Sequence, residues 1–306
     1  MVFTAKTLPP GGRTVLITGA STGLGREAAL HLADKGFRVL GAVRKTEDGD
    51  RLAADCPSGR VEHVVLDVTD EASIAAAAGE VAGKVGEDGL WGLVNNAGIC
   101  ISAPLEVVPT DVLRRQLEVN VVGQLAVTQA FLPLLRASRG RLVNVTSGLG
   151  TVAIPYLGPY SAAQFAKEGM SDALRRELAP MGVSVSVVCP GSIWTPIWAK
   201  IAQDGQDALA AAPTAVADLY RATFLRFLHF NEQTAKDSKT QPVEVATAIL
   251  AALTSVKPKT RYRVGADVRR GTFLARVLPD SAIDSMFSKI VTPLPTDQEE
   301  AHRVGS

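Results

Sequence analysis

The chain has 306 residues, 46% of them hydrophobic, with 27 glycines, enough apolar material for a sizeable buried core and too much for disorder of the bulk. Its 32 Lys and Arg stand against 31 Asp and Glu, a formal charge of +1, so the strongly basic character that nucleic-acid backbones demand is missing. The length fits one large α/β domain or two ordinary ones.

The opening stretch, MVFTAKTLPPGG, has no apolar h-region of a secretory signal, and no uninterrupted apolar run reaches the roughly 18 residues of a membrane span. A cytoplasmic protein is the expectation. The first strand signal, residues 14–18, runs into T-G-A-S-T-G-L-G and then a helical pattern over 24–35. Glycines at 19, 23 and 25 allow a sharp turn and bring amide N–H groups close to an anion at the helix N-terminus. Gly19, Ser21, Thr22, Gly23, Leu24 and Gly25 are therefore candidates for holding a pyrophosphate. A second strand, 38–43, ends at Val43 with Arg44 and Lys45 next. An acid at that point would bond a ribose 2′-hydroxyl; two cations instead suit a 2′-phosphate, which favours NADP(H) over NAD(H).

Strand 61–67 ends at Asp67-Val68, a helical pattern covers 71–84, and strand 92–95 runs into N-N-A-G, with Asn96, Ala97 and Gly98 facing the same edge. A long helical pattern, 110–138, carries Asn120; strand 141–146 delivers Ser147, and helix 159–181 begins at P-Y-S-A-A-Q-F-A-K with Tyr160. Strand 183–189 leads into P-G-S-I-W-T, containing Pro190, Gly191, Ile193 and Thr195. The alternation then breaks. Residues 196–240 read as an Ala-rich insertion over the carboxyl edge of the sheet, a substrate lid with Trp194, Ile197, Trp198, Phe224 and Phe227 as candidate apolar lining. A last helix, 242–253, and strand, 262–264, complete the pattern, and 293–306 reads as a loose tail. Strands alternating with helices predict one Rossmann-type domain over 1–306: a doubly wound α/β fold with a seven-stranded parallel sheet and helices on both faces.

Cys56, Cys100 and Cys189 lie far apart with no C-x-x-C pair, which predicts free thiols rather than disulfides or a zinc site. His31, His63, His229 and His302 have no metal-ligand spacing, so no metal is expected.

Taken together, T-G-x-x-x-G-x-G, N-N-A-G, Asn120, Ser147, Tyr160 and P-G-S-I-W-T, in that order over 13–196, resemble the short-chain dehydrogenase/reductase family. W-G-L-V-N-N-A-G and K-T-R-Y-R-V-G resemble its retinol and hydroxysteroid dehydrogenase branch. The resemblance implies a reaction between a carbonyl and an alcohol: Tyr160 exchanges the proton, Ser147 holds the oxygen, and Asn120 holds a water. It also implies that Asp67 and Val68 contact the adenine, that Thr195 binds the nicotinamide carboxamide, and that the helices bearing Asn120 and Tyr160 pair into a homodimer or homotetramer. The family's lysine four residues after the tyrosine, which lowers the phenol pKa and binds the nicotinamide ribose, is replaced by Gln164. An amide can bond ribose hydroxyls but supplies no charge. Lys167 lies about 10 Å along the helix axis from Tyr160, a long reach to the phenol. A general base useful near neutrality needs its pKa about three units below the usual phenol value, about 4 kcal/mol. Reduction, which needs a protonated Tyr160, is therefore favoured over oxidation. The expected partner is a small apolar carbonyl or alcohol compound. A nucleotide-binding protein with little turnover, an engineered variant of an ordinary enzyme, and non-redox chemistry on the same scaffold stay open.

Overall fold

The computed structural model describes residues 7–292; the tail expected at 293–306 lies outside them. Seven strands, β1 (Thr14–Thr18), β2 (Arg38–Val43), β3 (Val61–Val65), β4 (Gly92–Asn95), β5 (Arg141–Val145), β6 (Ser184–Pro190) and β7 (Arg261–Val264), form one sheet in the order β3-β2-β1-β4-β5-β6-β7. Every pairing is parallel. The chain steps from β1 out to β3 and then returns to lay β4 on the other side of β1. Connections leaving β1 and β4 therefore diverge, and a crevice opens at the carboxyl ends where the direction reverses.

Alternation along each strand assigns the two apolar layers. Val15, Ile17, Val39, Val94 and Val143 face one side, with α1 (Gly23–Asp34) and, at the far end of the chain, α9 (Pro242–Thr254) covering them. Leu16, Leu40, Leu93 and Leu142 face the other, under α3 (Glu71–Val85) and α5 (Gly123–Ser138). A parallel sheet must be covered on both faces, which is why its strands read as unbroken apolar runs.

The long pattern at 110–138 is one helical rod with a fault in it. α4 (Thr110–Leu117) passes into a π turn at Glu118–Val122 and then into α5. This stretch is long and apolar enough, by length and composition, to cross a bilayer, although polar residues interrupt its apolar run. Here Val127, Phe131 and Leu135 are buried against the sheet layer. The pattern missed α2 (Thr46–Ala54), whose only buried side chain of any size is Leu52, so no apolar period marks it. It also missed α10 (Ala266–Val277) and α11 (Asp280–Val291), the latter with no fully buried residue. The helical pattern at 159–181 is α6 (Gly158–Leu178), and the insertion resolves into two helices, α7 (Ile197–Ala211) and α8 (Thr214–Lys236).

Candidate functional site

β1 ends at Thr18 and the chain turns through Gly19 and Gly23, whose φ values of 66° and 57° lie in the left-handed region that glycine adopts without strain. A side chain at Gly19 would also stand 2.9 Å from the Ala97 Cα. The turn is fastened to the end of β4. Thr18 Oγ1 accepts from the Asn96 and Ala97 N–H groups, both at 3.0 Å, and Asn96 Nδ2 donates to the carbonyls of Thr18 (2.9 Å) and Gly19 (3.2 Å). So Asn96, a candidate ligand in sequence, works as the clamp that shapes the glycine turn, with Thr18 as a partner the sequence reading passed over. Gly25 serves packing: it lies against the Gly19 carbonyl and Asn96 and does not line the cleft. α1 starts with no side-chain cap and no acid in its first turn, leaving its first N–H groups to an anion.

At the outer end of the same cleft, Val43, Arg44, Asp67, Val68 and Thr69 lie together. Asp67 Oδ1 accepts from the Thr69 N–H (2.9 Å) and hydroxyl (2.8 Å). Burial works to raise the Asp67 pKa, but these bonds and the Arg44 charge outweigh it and hold the carboxyl below its usual range. Lys45 corrects the sequence expectation. It occupies the N-cap position of α2 in an extended conformation and is absent from the cleft wall, so only Arg44 of the pair is there.

Ser147, Tyr160 and Gln164 meet midway along the cleft. Ser147 leaves the end of β5, and its Oγ accepts from the Leu149 N–H at 3.2 Å. Gln164, one turn after Tyr160 and 2% exposed, donates from Nε2 to the phenol oxygen at 2.9 Å, while its Oε1 is buried without a partner. Burial pushes the Tyr160 phenol above its ordinary pKa and the neighbouring Cys100 adds to the rise; hydrogen bonds from Ser147 and Gln164 oppose it. The π turn directs Asn120 inward, where Oδ1 accepts from the Ile99 N–H and Nδ2 donates to the Ile99 carbonyl, both at 2.9 Å. Both side-chain groups of Asn120 are thereby committed to the loop after β4. Gln116 braces the same loop at Ile99 and Ile101, a role with no signal in the sequence. Lys167 also lines this cleft despite its distance along the helix, fully buried, with Nζ donating to the Val145 carbonyl at 2.6 Å.

Pro190 ends β6, and Gly191, Ile193 and Thr195 follow it along the near wall. Gly191 is backed by the Asp267 carboxylate, which accepts from the Ser192 N–H at 2.8 Å. Beyond them the cleft, about 1690 Å³ in all, is lined by apolar side chains, among them Leu149, Ile154, Leu157, Ile197, Trp198 and Ile201, together with the polar and charged residues Lys200, Gln203, Asp204 and Asp207 of α7. Trp198 is fixed by its indole N–H to the Ile193 carbonyl at 2.8 Å. Three expected lining residues lie elsewhere. Trp194 turns outward, 44% exposed, with the Lys236 ammonium 5.0 Å from its ring centre. Phe224 and Phe227 of α8 are buried against the Tyr156 ring, each 5.3 Å away between ring centres. Tyr156 holds a positive φ of 67° and donates its hydroxyl to Thr223 of α8 at 2.8 Å. It ties α8 to the entrance of α6, four residues before Tyr160.

Cys56, Cys100 and Cys189 are free, as expected, and among the described residues no cluster of His, Cys, Asp and Glu could hold a metal ion.

A family model for short chain dehydrogenase matches residues 13–206. The chain is 42% identical over 275 residues to a 3-amino-tetrahydro-pyrrolizinone reductase of Xenorhabdus hominickii, covering 90% of this chain and 94% of that protein. It is 36% identical over 291 residues to retinol dehydrogenase 5 of Mus musculus, covering 94% and 91%. It is 38% identical over 279 residues to 17-beta-hydroxysteroid dehydrogenase type 6 of Bos taurus, covering 90% and 87%. Among solved structures, a short-chain dehydrogenase from Streptomyces avermitilis superimposes with a TM-score of 0.71 at 29% identity, over 96% of this chain and 98% of that one. A short chain dehydrogenase from Burkholderia cenocepacia in complex with NADP gives 0.70 at 28% identity, over 94% and 100%.

Proposed function

The chain belongs to the short-chain dehydrogenase/reductase family, and from that premise we propose that it is an NADP(H)-dependent carbonyl reductase acting on an apolar or lipophilic substrate. One observation carries the reading: Gln164 donates to the phenol oxygen of Tyr160. A phenol that accepts there keeps its own O–H free to donate to a substrate oxygen, and burial without an adjacent cation keeps that proton on.

The residues present suit a nicotinamide dinucleotide. Gly19 admits no side chain, the first turn of α1 offers uncapped N–H groups, and the orphaned Gln164 Oε1 is an acceptor suited to a ribose hydroxyl. Gly19, Ser21, Thr22, Gly23 and Leu24 would hold the pyrophosphate, Asp67 and Val68 the adenine, Arg44 the 2′-phosphate, and Thr195 the carboxamide. When bound, the cofactor supplies the hydride. The chain does the rest. Ser147 and Tyr160 fix the substrate oxygen between two hydroxyls, Tyr160 delivers a proton to it, and Asn120 holds the loop that closes the far wall.

Substrate class follows from the apolar wall around Trp198 and Ile201 and from the reductase and retinol dehydrogenase relatives. Loss of the reduced cofactor's absorbance, followed with ketones and aldehydes of increasing apolar size, tests it. Turnover that rises with apolar bulk is expected; a preference for small hydrophilic carbonyls would refute the assignment.

Cofactor choice rests on Arg44 and on the absence of an acid at Val43. Arg44→Ala should raise the KM for NADPH about tenfold to a hundredfold, the loss of a charge-assisted phosphate contact, and leave that for NADH nearly unchanged. An equal effect on both would exclude the 2′-phosphate role. Val122, 50% exposed, and Phe165, 45% exposed, present apolar surface on the two helices that the family resemblance assigns to subunit pairing. We therefore expect a homo-oligomer, which sedimentation at a monomer mass would disprove.

A further inference from the structure

Of the polar side chains that α7 gives to the cleft, one carboxylate acts on the end where Tyr160 stands. Ile201, Gly205 and Leu209 form the buried stripe of this helix. Gly205 lies so close to the loop after β4 that a side chain there would stand 2.9 Å from the Ser102 carbonyl and equally near the Phe224 ring. That contact fixes the rotation of α7. The neighbouring stripe, Ile197, Lys200, Asp204 and Ala208, therefore faces the cleft and lines it. Asp207 is occupied, accepting from Gln203 Nε2 at 2.8 Å. Asp204 and Lys200 make no side-chain hydrogen bond or ion pair among the described residues, with each other or with any third group.

The electrostatics at the Tyr160 end single out Asp204. Burial first, and then the Asp204 carboxylate, push the Cys100 thiol above its ordinary range, and Cys100 in turn adds to the rise of the Tyr160 phenol. Lys200, and Arg114 and Arg115 of α4 in the outer cleft wall, are not among the groups acting on either. In the same wall Gln164 Oε1, 2% exposed, is an acceptor without a donor. A ligand that fills this end meets unsatisfied acceptors and must bring donors to them. One is suited to the ribose hydroxyl, and Asp204 is left for the substrate. An unpaired carboxylate on a partly enclosed wall attracts a cation and repels an anion more strongly than in open solvent.

We propose that Asp204 determines substrate specificity, and that the substrate is a carbonyl compound with an apolar body and a protonated amine, whose ammonium donates to the Asp204 carboxylate while Ile197 and Ile201 cover the body. The inference rests on the carbonyl-reductase reading and narrows it. An apolar wall alone accepts any lipophilic carbonyl compound, whereas the carboxylate selects cations among them and rejects carboxylates. The ammonium takes no part in bond making: hydride and proton go to the carbonyl, and holding the molecule at both ends fixes it along the cleft.

The probes are para-substituted acetophenones: aminoalkyl ketones with one, two or three methylenes before the amine, their N-acetyl derivatives, the para-ethyl ketone and para-acetylbenzoate. Affinity for the cofactor-free protein is read by ligand-observed NMR, and kcat/KM is measured with NADPH. The best ammonium member should bind about tenfold more tightly than its neutral counterpart and show about tenfold higher kcat/KM through a lower KM, the worth of one charge-assisted hydrogen bond in a partly solvated wall. The benzoate should be poorest. Asp204→Asn should erase the ammonium-to-neutral ratio, and Asp204→Lys should invert it in favour of the benzoate. Asp218→Asn, which removes a carboxylate of α8 paired with Arg221, should leave the ratio as it was. An Asp204 that merely supports the fold would lower every member alike on replacement and keep the ratio. That result, or no ammonium preference in the unaltered protein, would overturn the proposal. An ammonium preference in affinity that Asp204→Asn removes, with no probe reduced, would instead overturn the reductase reading and leave Asp204 as the group that recognises the ligand.

Discussion

Tyr160→Phe is expected to slow carbonyl reduction by about 10²–10⁴-fold, the usual worth of a positioned general acid. The nucleotide should still bind with nearly unchanged affinity. The phenol oxygen accepts from Gln164 Nε2 at 2.9 Å, which leaves its own O–H free to donate outward. Removing it leaves the Ser147 hydroxyl, whose Oγ already accepts from the Leu149 N–H, to hydrogen-bond the substrate oxygen alone, with no phenol to deliver the proton. The glycine turn, the Thr18 and Asn96 clamp and Arg44 are untouched by the change. Parallel kinetics and nucleotide-binding calorimetry separate the two effects. A variant that reduces ketones at the unaltered rate would remove Tyr160 from the mechanism, and one that fails to bind nucleotide would show the phenol to be structural.

Gln164→Lys should have the opposite sign and act mainly on one direction. A cation beside the phenol favours phenolate, the form that accepts a proton from an alcohol, and each unit of pKa lowering is worth about 1.4 kcal/mol, or tenfold in the fraction ionised. Here burial has already raised the phenol, with Cys100 adding to it, so little base exists at neutrality. A gain of about 10²-fold or more in alcohol oxidation near pH 7 is expected, with the midpoint of the oxidation profile moving to lower pH. Reduction needs the protonated phenol and should change by less than about tenfold. Equal gains in both directions would mean that glutamine impairs placement of the cofactor rather than ionisation. Turnover found only in the lysine variant would identify the present chain as a nucleotide-binding protein built on an enzyme scaffold.

The candidate site was legible residue by residue because its parts are attached to strand ends and helix starts, features that leave local signals. The glycines after β1, Ser147 after β5 and Tyr160 at the start of α6 each stand at a junction between two periodicities. The insertion after β6 was legible only as a break in the pattern. Whether an aromatic such as Trp198, Phe224 or Phe227 meets the cleft, the solvent or the core depends on the rotation of helices that have no sheet to fix their register, and sequence spacing misassigned Phe224 and Phe227 for that reason. Trp194 and Lys45 were misassigned outside those helices, Trp194 in the turn before α7 and Lys45 at the N-cap of α2. The partner roles of Thr18, Gln116 and Tyr156 went unread because each is a contact between segments far apart in the chain.

Against the family pattern it resembles, the sequence shows glutamine at position 164 where a lysine is expected; by itself it determined the strand and helix order, the parallel doubly wound sheet and the edge where the candidate residues gather. These follow from short-range periodicity and from residue types that a turn or a reaction demands. Only the tertiary structure decided that the Asn96 side chain shapes the glycine turn, that Asn120 is committed to Ile99, and that Lys167 lies buried in the wall of the cleft. Ten ångströms of helical rise suggests remoteness, but a flexible side chain on the same face of α6 extends toward the carbonyl at the end of β5, and burial on both sides determines where its charge can rest.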